Sequence, residues 1–442
     1  MSRPGLVNPF PGALQINLSA IYNQTCPACG GVLADEVFAQ PNTDDLDDIV
    51  NKLIKSLHGG NKHSFDKGMI QFTAGKLLQG MLTGYGKDFT NVDYNSPDWR
   101  MLENLENNVY QFSAAKNFQQ LKQMTSLLLD NGKPRTFADF RNKVMELNIK
   151  FNKTWLKTEY NLAIAGGQMA SKWVDFANGS MLKYSTAGDA NVRDSHAALD
   201  GITKPKEDKF WAVHYPPNGF NCRCNVIETV SKKATDDDKI PSVEIQPMFR
   251  TNLAKSGLVF PKNHPYFIGI DKKKIAAIIL SMIPDRSNYK SNLNYFNNLS
   301  TKEYPEKLKK FFPESGGFYA FHKNHNLNPI TGYSEIITAN AFAKKGFAIL
   351  FNDESKSKKT ADFIDINSKK LYEIKLVKKV THRSSKEVIL HAASKKAHFP
   401  VAVVEGEVDY DILFAGFNSG FQFTNYKECY YVVNEELKVY KK

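Results

Sequence analysis

The spacing of apolar residues predicts a mainly helical N-terminal half. From Asp44 onward, apolar side chains recur every three or four residues, at Leu46, Ile49, Val50, Leu53, Ile54 and Leu57. Similar spacing returns over 99–130 and 137–180. This is the spacing of one face of an α-helix. We therefore expect several amphipathic helices before residue 181.

The pattern changes twice after residue 180. Residues 181–230 are rich in turn-forming residues, which predicts a compact, irregular module. From Gly316, a helix at 333–345 leads to short β-branched and aromatic runs, which are typical of strands. The predicted elements that follow it are strands at 347–351, 361–366 and 371–377, a helix at about 384–397, and strands at 400–404 and 410–416.

These patterns predict a multidomain α+β protein. Its 442 residues are enough for two or three domains at ~100–200 residues each. The C-terminal part has the order αβββαβ followed by a further strand, which favours an α/β domain. The predicted regions are a helical one at 1–159, a loop-rich module at 160–268, a connector rich in Lys, Asn and Ser at 269–315, and the α/β domain at 316–442.

Composition and charge narrow the function classes. A net charge of +12 and a pI near 9.1 make polyanions plausible partners. No apolar run approaches the ~20 residues of a membrane helix, so we expect no membrane span. The N-terminus lacks a basic segment leading into an apolar stretch, so we expect no signal peptide and synthesis in the cytoplasm. Five cysteines argue against a disulfide framework and for free thiols or a metal site.

A group of motifs lies between residues 192 and 224. The chain reads VRDSHAALDG at 192–201, DKFW at 208–211, YPPNGF at 215–220 and NCRC at 221–224. In this order and spacing the motifs resemble the phage Mu F-like minor head protein (head morphogenesis) family. The resemblance implies a virion protein inside the head or near the portal, with portal and head proteins as partners. The positions that carry it best are Arg193, His196, Trp211, Cys222 and Cys224.

Four cysteines are candidate ligands for a structural zinc ion, because Zn²⁺ favours thiolate and imidazole ligands. They are Cys26, Cys29, Cys222 and Cys224, and His196 and His214 lie close in sequence to the second pair. The first pair has the more usual metal-binding spacing but needs ligands from elsewhere in the chain. The alternatives are a plain structural turn at the first pair and small buried side chains at the second.

Arg193, Asp194 and His196 also have the chemistry of an acid–base group, because histidine titrates near neutral pH and aspartate can orient it. No nucleophile or oxyanion donor accompanies them. We therefore favour a hydrogen-bonding network that ties the loop together.

The C-terminal region carries the catalytic chemistry. Glu373 and Lys375 are two apart in a predicted strand, so they share one face, and Ile374 lies on the other. An antiparallel neighbour can bring Asp362 beside Glu373. Two converging carboxylates bind a hard divalent cation such as Mg²⁺. Lys375 can then hold a water molecule or stabilise charge on a phosphoryl group.

This Asp-x(10)-Glu-x-Lys arrangement resembles the PD-(D/E)XK nuclease superfamily, with Ala361 in place of the conventional proline. Glu335, which opens the predicted helix, matches the first-helix carboxylate of that superfamily. The run from His322 and His325 to Lys375 also resembles the nuclease tips of contact-dependent inhibition toxins. These resemblances imply a metal-dependent nuclease with tRNA preferred over DNA, acting in the cytoplasm and neutralised by an immunity protein.

Basic residues surround the candidate site. Residues 344–396 hold fourteen Lys and Arg against six Asp and Glu, a local excess of eight positive charges. Such a run is commonly a solvated surface, but it is also what binding of a phosphate backbone requires. The candidate backbone contacts are Lys378, Lys379, Arg383 and Lys386.

Three functions remain open from the sequence. The first is a head protein that carries a nuclease toxin delivered with the particle. The second is a purely structural head protein whose basic C-terminal domain binds the packaged genome. The third is a nuclease that processes DNA during packaging.

Overall fold

The computed structural model describes residues 43–327, 332–355, 361–406 and 408–442. The chain forms two units, and it passes from one to the other between Met282 and Ile283. The candidate ligands Cys26 and Cys29 lie outside the described residues. No helix in the described ranges is both long and apolar enough to cross a bilayer.

The described part of the first unit begins with five long helices. They are α1 (Thr43–His58), α2 (Lys67–Tyr85), α3 (Pro97–Ser126), α4 (Phe137–Ile149) and α5 (Leu156–Asp175). Those predicted from Asp44 onward, over 99–130 and over 137–180 are confirmed, whereas the helix at Lys67–Tyr85 was not predicted from the sequence. A two-stranded hairpin of β1 (Leu129–Asp130) and β2 (Lys133–Pro134) joins α3 to α4, and a π-helical segment at Lys150–Trp155 joins α4 to α5. The apolar face of α1 is buried against side chains of α3 and α4. This burial of apolar surface stabilises the amphipathic helix.

Helices α2 and α5 approach each other closely at two glycines. A Cβ atom on Gly84 would lie 2.0 Å from the carbonyl oxygen of Ile164, and one on Gly167 would lie 2.2 Å from that of Met81. Only glycine permits these contacts. Helix α5 also shares a buried ion pair with α3, in which Lys116 Nζ lies 2.5 Å from a carboxylate oxygen of Glu159.

A loop-rich module follows α5, as predicted. Its small antiparallel sheet has the order β4-β3-β5, with β3 at Met181–Ser185, β4 at Thr203–Pro205 and β5 at Asn225–Glu228. Trp211 is buried, and its indole N–H donates to the carbonyl of Lys204 at 3.3 Å. The other elements are α6 (Asp194–Ala197), α7 (Phe210–His214), 3₁₀ turns at Asp237–Lys239, Pro247–Phe249 and Pro265–Phe267, and α8 (Lys272–Leu280).

The second unit is built on one mixed sheet of eight strands. The strands lie in chain order, from β6 at one edge to β13 at the other, and β7/β8, β10/β11 and β11/β12 are the parallel pairs. The helices are α9 (Tyr289–Asn297), α10 (Gly332–Ala343), α11 (His382–Ser394) and α12 (Tyr410–Phe421). The strands are β6 (Lys309–Phe312), β7 (Gly317–Phe321), β8 (Ala348–Phe351), β9 (Phe363–Asp365), β10 (Lys370–Val377), β11 (Phe399–Val404), β12 (Glu428–Val433) and β13 (Glu436–Lys441).

Helices cover both faces of this sheet. Tyr372 in β10 packs with Phe342 of α10, whereas Val377 in the same strand packs with side chains of α11 and α12. Residues of opposite parity point to opposite faces of a strand, so Glu373 and Lys375 lie on the face that α11 and α12 cover. The predicted helical N-terminal half and mixed α/β C-terminal region are therefore confirmed.

Two sequence predictions differ from the structure. The strand predicted at 410–416 is wrong, because this segment belongs to α12. Leu413, Phe417 and Phe421 are buried at four-residue spacing, and Asp409 caps the helix. A short, continuous apolar run does not by itself distinguish a strand from a helix.

The second difference concerns the predicted connector at 269–315. Helix α8 belongs to the first unit, whereas α9 and the edge strand β6 belong to the second. The amide of Asn292 in α9 donates to the carbonyl of Gly316 at 2.9 Å. The many exposed Lys, Asn and Ser side chains of this segment mask the few apolar residues that hold it in place.

Candidate functional site

Asp362 and Glu373, called the carboxylate pair below, lie side by side in the second unit. Asp362 directly precedes β9, and β9 runs antiparallel to β10, with Phe363 opposite Tyr372. The backbone N–H of Ile374 donates to Asp362 Oδ2 at 2.6 Å. The antiparallel pairing expected from the sequence thus brings the two acids together.

Glu373 is a buried carboxylate with one oxygen left unsatisfied. Its side chain is only 2% exposed. Oε1 lies 2.9 Å from His391 Nε2 and 3.6 Å from Lys395 Nζ, whereas Oε2 is buried without a hydrogen-bond partner. Buried polar atoms are nearly always satisfied, so an oxygen of this kind is an available ligand position.

The carboxylate pair has strongly raised pKa values. Burial, and secondly the charge of Asp362, raises the pKa of Glu373 to about 8. Burial raises the pKa of Asp362 to about 6, and Glu335 adds to this shift. Packing two acids into a buried position costs free energy unless a proton or a cation compensates. An unsatisfied oxygen next to a second carboxylate fits the oxygen ligands that Mg²⁺ prefers.

Glu335 lies in α10 and contacts a buried histidine. His325 Nε2 is 3.2 Å from Glu335 Oε2, and its Nδ1 is 3.2 Å from the carbonyl oxygen of Asn352. Burial lowers the pKa of His325, but the hydrogen bond and charge of Glu335, the charge of Glu354 and the hydrogen bond to Asn352 together outweigh it, so the pKa is raised. Glu335 is thus held by a histidine, and it is close enough to shift the pKa of Asp362.

Lys375 is the most accessible member of the predicted catalytic set. Its side chain is a third exposed, and Nζ lies 3.7 Å from Glu387 Oε2 on α11. Since Lys375 and Glu373 are two apart in β10, both point to the α11 face of the sheet. The weak ion pair with Glu387 leaves the ammonium free to turn toward a ligand.

The predicted nucleic-acid contacts lie at the end of β10 and the start of α11. Lys378, Lys379 and Arg383 are exposed. Arg383 pairs with Glu387 at 3.1 Å, and the Lys386 ammonium lies 4.2 Å from the centroid of the Phe423 ring. These side chains follow the carboxylate pair along one strand and helix, so they form a basic edge beside it.

Two contacts of Glu373 were not assigned by the sequence. His391 lies in the last turn of α11 and Lys395, four residues later, directly follows the helix; both reach the carboxylate. Among the histidines of this segment, His398 instead accepts a hydrogen bond from the backbone N–H of Leu371 at 3.0 Å. The four-residue spacing of a histidine and a lysine on a predicted helix was the available signal, since such residues share a face.

In the first unit, His196, Cys222 and Cys224 converge, and we call them the Cys₂His cluster. His196 Nδ1 lies 3.7 Å from Cys222 Sγ and 3.4 Å from Cys224 Sγ. All three ligand atoms lie within 4.8 Å of one another. His214 is not part of the cluster, because its Nδ1 contacts the carbonyl oxygen of Phe210. A hydrogen bond between the two sulfurs lowers the pKa of Cys222 and raises that of Cys224.

Two arginines hold the loops that carry the Cys₂His cluster. Arg193, which precedes α6, donates to the carbonyl oxygen of Phe220 at 2.6 Å. Arg223 makes two hydrogen bonds to Asp189, at 2.7 and 2.8 Å. Each arginine thus links the loop around α6 to the loop before β5. These are the contacts of a network that ties loops together.

Comparison with known proteins identifies part of this first unit. The family model described as Phage Mu protein F like protein matches residues 115–227. This range contains the Cys₂His cluster and ends before the second unit begins. The match begins at residue 115, within α3, and therefore starts well before the motifs between residues 192 and 224.

Two curated proteins are similar to the chain. One, from Escherichia phage Mu, bears the name "Putative capsid assembly protein F" and is 36% identical over 75 residues, which is 16% of this chain and 17% of that protein. The other, the Mu-like prophage FluMu F protein of Haemophilus influenzae, is 32% identical over 82 residues, 19% of this chain and 20% of that protein. The chain therefore matches about a fifth of the length of either relative.

No solved structure matches the chain. The similarity to known proteins thus rests on the sequence of the first unit, where the family match and the motifs around the Cys₂His cluster coincide. Residues 115–227 are a region similar to the phage Mu F-like family.

Proposed function

We propose that this chain is a phage or prophage head protein whose second unit is a metal-dependent nuclease. The head assignment is supported by the Mu F-like region at 115–227 and by a similar protein that is named for capsid assembly. On this proposal the chain is a virion component, inside the head or near the portal, with portal and head proteins as partners.

One observation carries the nuclease assignment: the carboxylate pair has a buried oxygen, Glu373 Oε2, with no protein partner. The order of elements around it supports the same conclusion. Helix α10, strands β8 to β10, helix α11 and strand β11 follow one another as αβββαβ, with β8, β9 and β10 antiparallel and β11 parallel to β10. This is the order expected for a PD-(D/E)XK-type nuclease.

Each residue of the proposed nuclease site has a distinct role. Asp362 and Glu373 would hold the cation, and Mg²⁺ bound there would supply Lewis acidity toward a phosphodiester and lower the pKa of a water molecule. Lys375 presents a positive charge on the same face, where it stabilises negative charge that develops on the phosphoryl group. His391 and Lys395 fix the orientation of Glu373, and His325 does the same for Glu335.

The basic edge supplies the contacts to the nucleic-acid backbone. Lys378, Lys379 and Arg383 are exposed. Contacts from such side chains to phosphate groups do not depend on the base sequence, so they position a strand without selecting bases. We favour tRNA over DNA as substrate from the resemblance to toxin tips. A nuclease of this kind acts in the cytoplasm of a recipient cell, and an immunity protein must protect the cell that makes it.

Genome binding without cleavage is the second candidate function. The exposed basic edge favours it, because phosphate contacts alone give salt-dependent binding. Processing of DNA during packaging is a third function that uses the same site. The second candidate differs from the first in requiring neither a cation nor the carboxylate pair.

A cleavage assay on the purified full-length protein tests the proposal. We expect degradation of tRNA, or of DNA, in Mg²⁺ and none in a chelator. Glu373→Gln removes a ligand charge and should lower the rate by ~10²-fold or more. The matched control is Glu436→Gln on β13, where the carboxylate is exposed, and it should retain full activity. Binding of nucleic acid without cleavage under any condition would reject the nuclease and leave genome binding.

A further inference from the structure

We propose that the Cys₂His cluster of the first unit binds a zinc ion that fastens the loops of the Mu F-like region. This site is independent of the carboxylate pair and of any nuclease activity. Three of its four ligands are His196 from α6 and Cys222 and Cys224 from the loop that leads into β5, and a water molecule would complete the tetrahedral set. The two ligand segments are more than twenty residues apart in sequence, and the metal would cross-link them.

The distances between the ligand atoms fit a tetrahedral zinc site. With Zn–S near 2.3 Å and Zn–N near 2.0 Å, a tetrahedral arrangement separates a sulfur and a nitrogen ligand by ~3.5 Å. The two observed separations from His196 Nδ1, 3.4 Å to Cys224 and 3.7 Å to Cys222, lie on either side of that value. The side chains are therefore already arranged around a common centre.

Hydrogen bonds hold this cluster together only weakly. The Nδ1 atom of a neutral imidazole either accepts from one thiol or donates toward sulfur, and sulfur is a weak acceptor. Thiols are also weak donors, and they would gain little from such a contact. A cation at the centre satisfies both sulfurs and the nitrogen together.

The surroundings are suited to a structural role for the metal. His196 and Cys222 are buried, and Cys224 is partly buried. Behind the cluster, the hydroxyl of Tyr184 in β3 donates to Asn218 at 3.0 Å, and the two arginines join the same loops from the outside. Strands β3, β4 and β5 contain twelve residues between them, so the module has little regular structure with which to hold its loops. Small, loop-rich modules commonly rely on a metal in this situation.

Metal analysis of the full-length protein tests this inference. We expect about one zinc ion per chain, since the three ligands form a single site. Cys222→Ser combined with Cys224→Ser should remove the zinc, and His196→Asn should weaken its retention. Cys429→Ser is the matched control, because this cysteine is also buried but lies in the second unit. The control should retain the full zinc content.

A spectroscopic probe keeps the test valid if the serine variants fail to fold. Protein produced with Co²⁺ in place of Zn²⁺ should show the near-ultraviolet absorption of cobalt bound to thiolate and the visible bands of tetrahedral cobalt. A folded wild-type protein without stoichiometric zinc and without the cobalt bands would overturn the inference. It would also be overturned if Cys26→Ser/Cys29→Ser lost the metal while Cys222→Ser/Cys224→Ser kept it.

Discussion

The two units place different ligand chemistry in comparable settings. The Cys₂His cluster offers two sulfurs and a nitrogen that converge on one point and are held by arginine contacts from neighbouring loops. The carboxylate pair offers oxygens on adjacent strands, one of them buried and unsatisfied. Soft ligands that enclose a centre suit a structural zinc ion, whereas oxygens beside an accessible lysine suit a hard ion used in catalysis.

The two sites differ in how the absence of a metal ion affects the stability of the fold. The Cys₂His cluster gains stability when its metal binds, since the ion cross-links two loops of a module that has little regular secondary structure. The carboxylate pair carries a cost in the absence of a cation, because burial raises the pKa of both acids. Sites that are costly to the fold are commonly the ones that do chemistry.

The largest expected effect separates catalysis from metal binding. Lys375→Ala should lower the rate of nucleic-acid cleavage by ~10²-fold or more, because it removes a charge that acts on the phosphoryl group. It should leave cation binding nearly unchanged, since an ammonium is not a metal ligand. Cleavage rates and Mn²⁺ titrations of the same samples measure the two quantities. Lys378→Ala serves as the control, and equal losses in both variants would contradict the role given to Lys375.

The second prediction concerns where the folded second unit begins. A fragment of residues 283–442 should fold, whereas one of residues 316–442 should be less stable by ~3 kcal/mol or more. The shorter fragment loses β6 and α9, and with them the apolar contacts of Phe296, Leu299 and Phe311 against Phe318, each of the order of 1 kcal/mol or more. Urea unfolding of both fragments makes the comparison. Equal stability would show that α9 and β6 are not part of the folded unit.

The third prediction follows from the raised pKa of Glu373. Between its ordinary value of 4.5 and about 8, the folded state keeps a proton that the unfolded state has released. The carboxyl group therefore costs more stability as pH rises through that interval, and the full cost is present above pH 8. Without a divalent cation, Glu373→Gln should stabilise the second unit by about 2 kcal/mol at pH 8 and by much less at pH 5.

Hydrogen exchange of the β10 amides in the full-length protein measures this local stability. Glu436→Gln should show no such pH-dependent gain, because its carboxylate is exposed. A Glu373→Gln variant that is destabilised at pH 8 would mean that the buried carboxylate is satisfied by the protein alone.

The smallest effects are expected at the basic edge. Single changes of Lys378, Lys379 or Arg383 to Ala should weaken nucleic-acid binding only a few-fold each, since exposed charges contribute little individually. Each should also reduce the slope of log affinity against log salt concentration by ~1. Fluorescence anisotropy over a range of salt concentrations measures both. An unchanged slope would place the bound strand elsewhere.

Local patterns predicted much of this molecule. The period of Leu46, Val50, Leu53 and Leu57 specified α1, and the two-residue alternation of Glu373 and Lys375 specified the face of β10 on which they lie. The sequence predicted a strand at 410–416 where the structure has the start of α12, because this continuous apolar run has no clear period. Local patterns could not predict the eight-stranded sheet, because they do not specify which strands pair. Strands β6 and β13 join the sheet through such pairings, at its opposite edges.

The candidate sites, like the fold, were predictable from the sequence only where they depend on residues close together in the chain. Residues close in sequence, such as Cys222 and Cys224, could be grouped by spacing. The choice of His196 over His214 as their neighbour depended on how the loops fold, and so did the contacts of His391 and Lys395 with Glu373. Tertiary contacts of this kind leave only a weak sequence signal, such as a four-residue spacing on a helix.

One measurement tests the contrast between the two sites directly. Full-length protein is dialysed to equilibrium against Zn²⁺ and Mn²⁺ together, and both metals are then quantified in the wild type and in two double variants. The account predicts that Cys222→Ser/Cys224→Ser loses zinc and keeps manganese, whereas Asp362→Asn/Glu373→Gln loses manganese and keeps zinc. Retention of manganese in the second variant would contradict the assignment of the carboxylate pair as the cation site.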